Sequence, residues 1–340
     1  EAVRVAPGSY RPGTAVASGR LWSPYVAQGP VFPMFLDLPL LSGAEVPHAP
    51  HVGVTASPWP GAVAVWSSAT GDGFALNRSL EAPMVVGVTE TDLAAAPTGL
   101  WDRGPALRLR IERGALSSAS EAAVLAGANL AAIGDGSAAN WEVFQFAQAV
   151  LVGPSTWEVS LRLRGQAGSD GVMPAVWPAG SPVVLLDAAL GQIDLPLAAR
   201  GLTRNYRIGA AARGYDAPAV VARAETFDGI GLRPYRVAHL RRSGDFGGDV
   251  TLGWTRRSRI DGDNWQSLDV PLGEESEAYL LRVRQGGTVL REVTVTSPGW
   301  TWTPAMQAAD APLPGMVRLE VAQLSQRFGP GPFASLDLAV

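Results

Sequence analysis

The chain has 340 residues, of which 47% are hydrophobic, and a formal net charge of −4. It contains neither Cys nor Lys, so all 27 of its cationic side chains are Arg. These absences exclude disulfides, thiolate metal centres, cysteine nucleophiles, Schiff-base catalysis and the P-loop lysine. At about 100–200 residues per domain, the length predicts two or three domains.

Residues 1–45 form a Pro-rich lead-in, with prolines at positions 7, 12, 24, 30, 33 and 39. We expect this segment to be extended and to pack on neighbours, since its prolines disfavour both helices and central strands. Its apolar run Val31–Leu41 is broken by Pro and Asp, well short of the roughly 20 residues of a membrane-spanning helix. The chain begins with Glu1 rather than Met, which favours a fragment of something longer or a processed chain.

Residues 46–232 carry many short strand candidates separated by turn residues, which is typical of β-sandwiches and β-barrels. Apolar and polar side chains alternate over Leu107–Ile111 and Trp157–Leu163, as in strands with one buried face. Val63–Trp66 and Met84–Val88 are continuously apolar and predict strands buried on both faces. The whole block is assigned to one large or two interleaved β domains.

Turns and helices are predicted at few places. Gly153–Thr156 has the sequence Gly-Pro-Ser-Thr between two strand candidates and predicts a hairpin turn. Ser120–Ile133 is Ala-rich and is the main helix candidate, although Gly127 lowers its helix propensity. Thr303–Asp310 could form one further helical turn. The chain is therefore predicted to be mainly β.

Residues 233–340 form a last block of about the size of an immunoglobulin-like sandwich. Val250–Trp254 alternates and directs Trp254 inward. Further strands are predicted at 278–284, 288–296, 299–303, 316–324 and 334–338. Together with the Gly/Pro turn at Phe328–Phe333, this pattern resembles a fibronectin type III domain, a fold that serves as a scaffold for many functions.

Candidate metal sites are weak. His48 and His51 lie in Pro-His-Ala-Pro-His, where two prolines prevent a helix from placing both imidazoles on one face and no third ligand is close in sequence. Asp261–Asn264 resembles part of a calcium loop but lacks the terminal glutamate at the required offset. Both motifs are interpreted as turns, and we predict neither a metal nor a cofactor.

Catalytic signatures are equally sparse. Paired carboxylates for glycoside hydrolysis could come from Glu142, Glu158, Asp170 or Glu225. Glu142 and Glu158 lie on predicted strands and are expected to be exposed. The sequence has no Gly-x-Ser-x-Gly nucleophile elbow and no dinucleotide-binding fingerprint. We therefore predict that the chain is not an enzyme, with a glycoside hydrolase segment as the less favoured alternative.

Two residue groups could serve binding. Seven Arg lie between positions 233 and 259 and could follow a nucleic-acid backbone, but acidic residues balance them over the whole block and favour a solvated sheet face. Trp300 and Trp302 share a strand face and could form a stacking platform for a glycan. A glycan-binding β-sandwich that recognises a receptor is therefore the alternative function.

An ordered series of segments carries a resemblance to one protein family. The segments are Phe35–Leu41, Thr55–Ala62, Val65–Ser67, Ala128–Gly134, Trp141–Phe146, Leu163–Gly168 and Arg207–Tyr215. This series resembles the C-terminal half of the "megatron" (host-specificity) tail-tip proteins of gene transfer agents and related siphophages. The large N-terminal portion of that family, including its glycoside-hydrolase-like barrel, has no counterpart here.

The resemblance implies hub-type β-barrel or β-sandwich domains over 46–232 and a fibronectin type III-like sandwich over 233–340. It implies a viral-type structural protein of the tail tip or baseplate that closes the tail tube, takes part in host-envelope contact and permits DNA delivery. The implied partners are other copies of the chain in a homotrimer, the tail hub and distal tail proteins, and a host surface glycan, with DNA only as passing cargo. Such a particle is assembled in the bacterial cytoplasm and acts at the host cell surface.

Overall fold

The computed structural model describes residues 29–260 and 270–340. The first part of the lead-in and the Asp261–Asn264 motif lie outside the described residues. Its regular secondary structure consists almost wholly of antiparallel strands. None of the helices in the two described ranges is long and apolar enough to cross a bilayer.

The first part of the chain contributes the larger set of strands. They are β1 (Phe32–Leu36), β2 (His51–Thr55), β3 (Val63–Ser68), β4 (Ala75–Leu80), β5 (Val86–Thr89), β6 (Leu93–Ala94), β7 (Trp101–Asp102), β8 (Leu107–Ile111), β9 (Leu130–Gly134), β10 (Trp141–Gly153), β11 (Thr156–Gln166), β12 (Val176–Trp177), β13 (Pro182–Leu185), β14 (Gly191–Gln192), β15 (Arg204–Ala210) and β16 (Val221–Glu225). Helix α1 spans Glu121–Leu125, and 3-10 turns occur at Ser169–Val172, Leu197–Ala199 and Ile230–Leu232.

The second part forms the remaining elements. They are β17 (Ala238–Ser243), β18 (Val250–Thr255), β19 (Tyr279–Gln285), β20 (Thr288–Val295), β21 (Gly299–Trp302), α2 (Pro304–Asp310), β22 (Met316–Ser325), β23 (Gly329–Pro330) and β24 (Ala334–Ala339).

Six strands close into a barrel in the order β10-β9-β13-β5-β8-β11, because β11 pairs back onto β10. The predicted alternation of Leu107–Ile111 is confirmed, since the three apolar residues of β8 are buried and Arg108 and Arg110 are exposed. Phe144 and Phe146 of β10 join them in the barrel core. Inward side chains fill the interior, so the barrel is a packed core rather than a channel.

A second body packs beside the barrel from the sheets β1-β2-β14 and β16-β15-β3-β4, which share one core. Strand β3 is buried along its whole length, as its continuous apolar sequence predicted. The described end of the lead-in belongs to this body, because β1 pairs with β2 and Phe35 is buried in the shared core. The described part of the lead-in therefore packs along its neighbour β2 and shares a core with the strands that follow residue 45.

Strands β17 to β24 form a sandwich of a three-stranded sheet, β17-β18-β21, and a second sheet in which β20, β19, β22 and β24 are neighbours. Trp254 points inward against Tyr279, with ring centroids 5.1 Å apart. Three strands facing four in this order confirm the predicted fibronectin type III-like fold.

The helix predicted over Ser120–Ile133 is only partly present. Ser120 caps α1 by accepting a hydrogen bond from the Ala123 backbone N–H, but the helix ends before Gly127, whose φ is +103°. The apolar remainder becomes β9, which pairs with both β10 and β13. The helical turn predicted after Thr303 is confirmed as α2, with Thr303 as its N-cap.

Candidate functional site

A buried ion pair lies at one end of the barrel. Arg164 Nε is 2.6 Å from Glu142 Oε1, and Arg164 Nη2 is 2.8 Å from Glu142 Oε2. The same carboxylate accepts from Trp177 Nε1 at 2.6 Å and from the Gly165 backbone N–H at 3.1 Å. Both charged side chains are fully buried, which corrects the expectation that Glu142 is exposed. The carboxylate points inward because it shares a face of β10 with Phe144 and Phe146.

A second buried pair extends this cluster. Arg162 contacts Asp102 through Nε and Nη2, each 2.8 Å from Oδ2, and its Nη1 donates to the Pro105 and Val159 carbonyls. Buried charges persist only when they are paired and hydrogen-bonded, and this cluster meets that condition. The alternation that predicted β11 could not show that its two arginines point into the barrel. The charges of this cluster are paired with one another within the barrel, so it offers no carboxylate to a substrate.

The other carboxylates considered for hydrolysis are either paired with an arginine or lie at a sheet edge. Glu158 pairs with Arg108 on the exposed side of the barrel at 2.9 Å. Asp170 pairs with Arg257 across the junction to the sandwich, also at 2.9 Å. Glu225 lies in β16, at the edge of its sheet, where burial raises the pKa of its carboxyl group. These contacts support the interpretation of the carboxylates as structural.

His48 and His51 are also held by contacts within the fold. His48 Nε2 lies 2.9 Å from the Leu195 carbonyl oxygen. His51 is in β2 opposite Leu36, and burial lowers the pKa of its imidazole. Within residues 29–260 and 270–340, no cluster of three or more His, Asp or Glu side chains could hold a metal ion.

The predicted stacking pair does not present two open rings. Trp302 is fully buried, and its Nε1 donates to Asp310 Oδ2 at 2.7 Å. Trp300 is half-buried against the same sandwich core. The two residues do share a face of β21, but that face is turned toward the facing sheet. Trp302 therefore has no open ring face for a glycan, and only Trp300 of the possible stacking pair is partly accessible.

The arginines between 233 and 259 mostly hold the fold together. Arg257 Nη1 contacts both oxygens of Asp170, and its guanidinium lies 5.2 Å from the Tyr235 ring centroid. Arg259 pairs with the buried Glu274 and donates to the Gly273 carbonyl. Arg257 connects the turn after β11 to the sandwich, and Arg259 Nη1 donates to the Gly231 carbonyl that precedes it. These two arginines are therefore better explained by the domain junction than by a nucleic-acid surface.

The domain junction leaves no room for a side chain at Gly168. Its φ is +74°, and a Cβ there would overlap the ring of Tyr235. Replacing Gly168 by Ala is expected to lower the free energy of unfolding by about 1–2 kcal/mol more than Gly180→Ala, measured by chemical denaturation. Gly180 is a matched control, because its φ is +92° and a Cβ would meet nothing within 4 Å. Equal effects would contradict the tight junction.

A run of exposed apolar side chains lies at the end of the β10–β11 hairpin. Val150, Leu151 and Val152 are consecutive exposed residues that directly precede the confirmed turn, where Gly153 is paired with Thr156. We call residues 150–152 the hairpin tip. Sequence analysis identified the turn but overlooked the three apolar residues before it. Since such contiguous exposure marks contact sites, the hairpin tip is our candidate functional site.

A protein-family model matches the part of the chain that forms the barrel and its hairpin. Residues 84–184 match the family model described as "Rcc01698-like, C-terminal". This range runs from just before β5 into β13 and contains the barrel and the hairpin tip. No curated protein matches the chain.

Several solved structures are similar to parts of the chain. Domains d3–d4 of the rat CD45 extracellular region show 11% identity and a TM-score of 0.25, covering 46% of this chain and 72% of that chain. The FN1–FN3 domains of chicken CNTN1 show 14% identity, a TM-score of 0.22, and coverages of 74% and 65%. A two-domain fibronectin type III segment of chicken tenascin shows 12% identity, a TM-score of 0.22, and coverages of 74% and 99%. These TM-scores are too low to support a fold assignment. The fibronectin type III-like fold is therefore assigned from the strand topology alone.

Proposed function

We propose that this chain is a structural component of a phage-like tail tip or baseplate that closes the tail tube, takes part in host-envelope contact and permits DNA delivery. The observation that carries the proposal is the match of the barrel to the Rcc01698-like family, because Rcc01698 is associated with gene transfer agents. The ordered series of segments that resembles the megatron proteins extends from Phe35 to Tyr215, beyond the matched range.

The geometry supports a structural role over a catalytic one. The barrel is filled by side chains, and the carboxylates that sequence analysis considered for hydrolysis are bound to Arg or lie at a sheet edge. The hairpin tip offers a surface to a further protein chain. We propose a homotrimer that also contacts the tail hub and distal tail proteins, assembles in the bacterial cytoplasm and acts at the host surface.

The proposal is tested by locating the chain in particles. An epitope-tagged copy is expressed in a particle-producing strain, and purified particles are examined by mass spectrometry and by antibody labelling in the electron microscope. We expect label at the tail tip and a copy number consistent with a trimer. Particles that lack the chain, together with a monodisperse monomer of 35.6 kDa in solution, would contradict the proposal.

The hairpin tip gives a more local prediction. Replacing Leu151 by Ser is expected to reduce incorporation into particles by about five- to 150-fold, because removing a buried interface anchor costs roughly 1–3 kcal/mol of binding. Incorporation is measured by quantitative immunoblot of purified particles. Leu313→Ser is the matched control, since Leu313 is 72% exposed on the sandwich and Leu151 is 58% exposed. Equal incorporation of both variants would show that the hairpin tip is not an assembly contact.

A further inference from the structure

A cluster of aromatic side chains surrounds one arginine on the outer face of the β16-β15-β3-β4 sheet. Arg207 of β15 is directly opposite Trp66 of β3, which is in turn opposite Leu76 of β4. The neighbours of Arg207 in β15, Tyr206 and Ile208, point into the core, so Arg207 points outward. Phe74, just before β4, and Tyr215, in the loop after β15, complete the cluster. We call Trp66, Phe74, Leu76, Arg207 and Tyr215 the aromatic–arginine patch.

The guanidinium group is held in place by two rings. Arg207 Cζ lies 4.7 Å from the Phe74 ring centroid and 5.7 Å from that of Tyr215. The two rings are 5.6 Å apart, and Tyr215 also meets Trp66 edge-on at 6.3 Å. Arg207 Nη1 donates to the Tyr215 carbonyl at 3.2 Å. These contacts restrict the guanidinium before any ligand arrives, which lowers the entropic cost of binding.

The described part of the chain supplies no carboxylate partner for Arg207. Across the described ranges, no carboxylate oxygen lies within 4.0 Å of its guanidinium nitrogens. Outward arginines differ in this respect: Arg108 pairs with Glu158, whereas Arg103 and Arg223, like Arg207, have no ion pair within the described residues. A guanidinium group carries five N–H donors, and the described contacts of Arg207 use one of its nitrogens. The patch therefore presents an oriented cation that lacks an anion.

The surface beside this cation is open and apolar. Leu76 is 63% exposed and Tyr215 is 37% exposed, whereas Trp66 lies buried beneath them. The Arg207 guanidinium, flanked by aromatic rings, suits a ligand that carries one negative group on an otherwise apolar face. It does not fit a nucleic-acid backbone, whose closely spaced phosphates require several cations.

We propose that the aromatic–arginine patch binds a carboxylate-bearing sugar residue of a surface glycan. The C–H face of the sugar ring stacks on Tyr215 and Phe74, and the carboxylate accepts two hydrogen bonds from the Arg207 guanidinium. The site lies on a different body from Trp300 and Trp302. It does not depend on the tail-tip proposal, because binding is measured on the isolated chain.

The test compares acidic sugars with uncharged derivatives of the same sugars. The full chain is titrated by calorimetry with trigalacturonic acid, an oligoglucuronate and sialyllactose, and with the methyl ester of each. We expect at least one acid to bind about tenfold or more tightly than its ester, because a charge-assisted hydrogen bond contributes about 1.5–3 kcal/mol. Absence of binding by every acid, or equal binding of acid and ester, would overturn the proposal.

Matched variants show whether the patch is responsible. Arg207→Gln removes the charge while keeping a polar side chain, and is expected to weaken binding of the acid about tenfold without changing binding of the ester. Tyr215→Ala is expected to weaken binding of both forms. Arg103→Gln removes an exposed cation elsewhere and should leave both unchanged. Thermal unfolding of each variant checks that it is folded. Unchanged acid binding in folded Arg207→Gln, or Arg207-dependent binding of an acidic peptide in preference to the sugars, would also overturn the proposal.

Discussion

Replacing Glu142 by Gln is expected to lower the free energy of unfolding by about 3–5 kcal/mol, the usual cost of leaving one partner of a buried ion pair alone. The Gln amide would place N–H donors where Arg164 Nη2 and Trp177 Nε1 now donate to the carboxylate. Arg164 would then remain fully buried without a counter-charge. The loss is measured by urea denaturation followed by tryptophan fluorescence.

Glu158→Gln is the matched control on the same hairpin. Glu158 also pairs with an Arg at 2.9 Å, but both partners are solvent-accessible, so the expected loss is below about 1 kcal/mol. The double variant Glu142→Leu with Arg164→Met should recover much of the stability lost in Glu142→Gln, because it removes both buried charges together. If the two Gln substitutions have equal effects, loss of one charge from the buried Glu142–Arg164 pair costs no more than loss of one charge from the accessible pair.

The pH dependence of stability should contain a distinct contribution from Asp37. Its carboxylate is buried and accepts hydrogen bonds from the Gly229 and Ile230 backbone N–H groups, both at 2.8 Å. Burial outweighs these bonds and raises the pKa of Asp37 from 3.8 to about 6. A raised pKa means that the folded state binds the proton more tightly than the unfolded state. The stabilisation is therefore complete below pH 3.8 and is lost as the pH rises through 6.

The comparison with Asp37→Asn isolates this contribution. Relative to the variant, the wild-type chain should gain about 2 kcal/mol of unfolding free energy when the pH falls from about 7 to about 4.5. Asp337→Asn is a control of opposite sign, because its hydrogen bond with Arg318 lowers the pKa of Asp337. Denaturant titrations at a series of pH values measure both. A constant difference between wild type and Asp37→Asn would show that Asp37 does not titrate in this range.

Local pattern was sufficient to predict the fold class and several individual elements. The alternation over Leu107–Ile111 and Val250–Trp254 reports which face of a strand is buried, since side chains alternate across any strand. The hairpin turn at Gly153–Thr156 and the short helix after Thr303 are also set by residues close together in sequence, so local pattern could predict them. The fibronectin type III-like topology could be predicted because its strands follow one another at regular spacing.

Residue identity along the chain could not show which charged side chains are buried. Glu142 and Glu158 look alike in sequence, as glutamates between apolar neighbours in strands, yet one is fully buried and the other is accessible. Their difference depends on where Arg164, Trp177 and the barrel core lie in space. Sequence analysis therefore mistook a buried structural carboxylate for a surface residue.

The sequence by itself determined that this is a mainly β protein without cysteine, lysine or a recognisable catalytic motif, because composition and strand periodicity are properties of neighbouring residues. Only the tertiary structure decided that six strands close into a filled barrel and that Trp302 is buried. Only the tertiary structure brought Phe74, Arg207 and Tyr215 together, since Phe74 is distant in sequence from the other two. Such contacts depend on strand pairing between distant segments, and short-range sequence pattern does not encode that pairing.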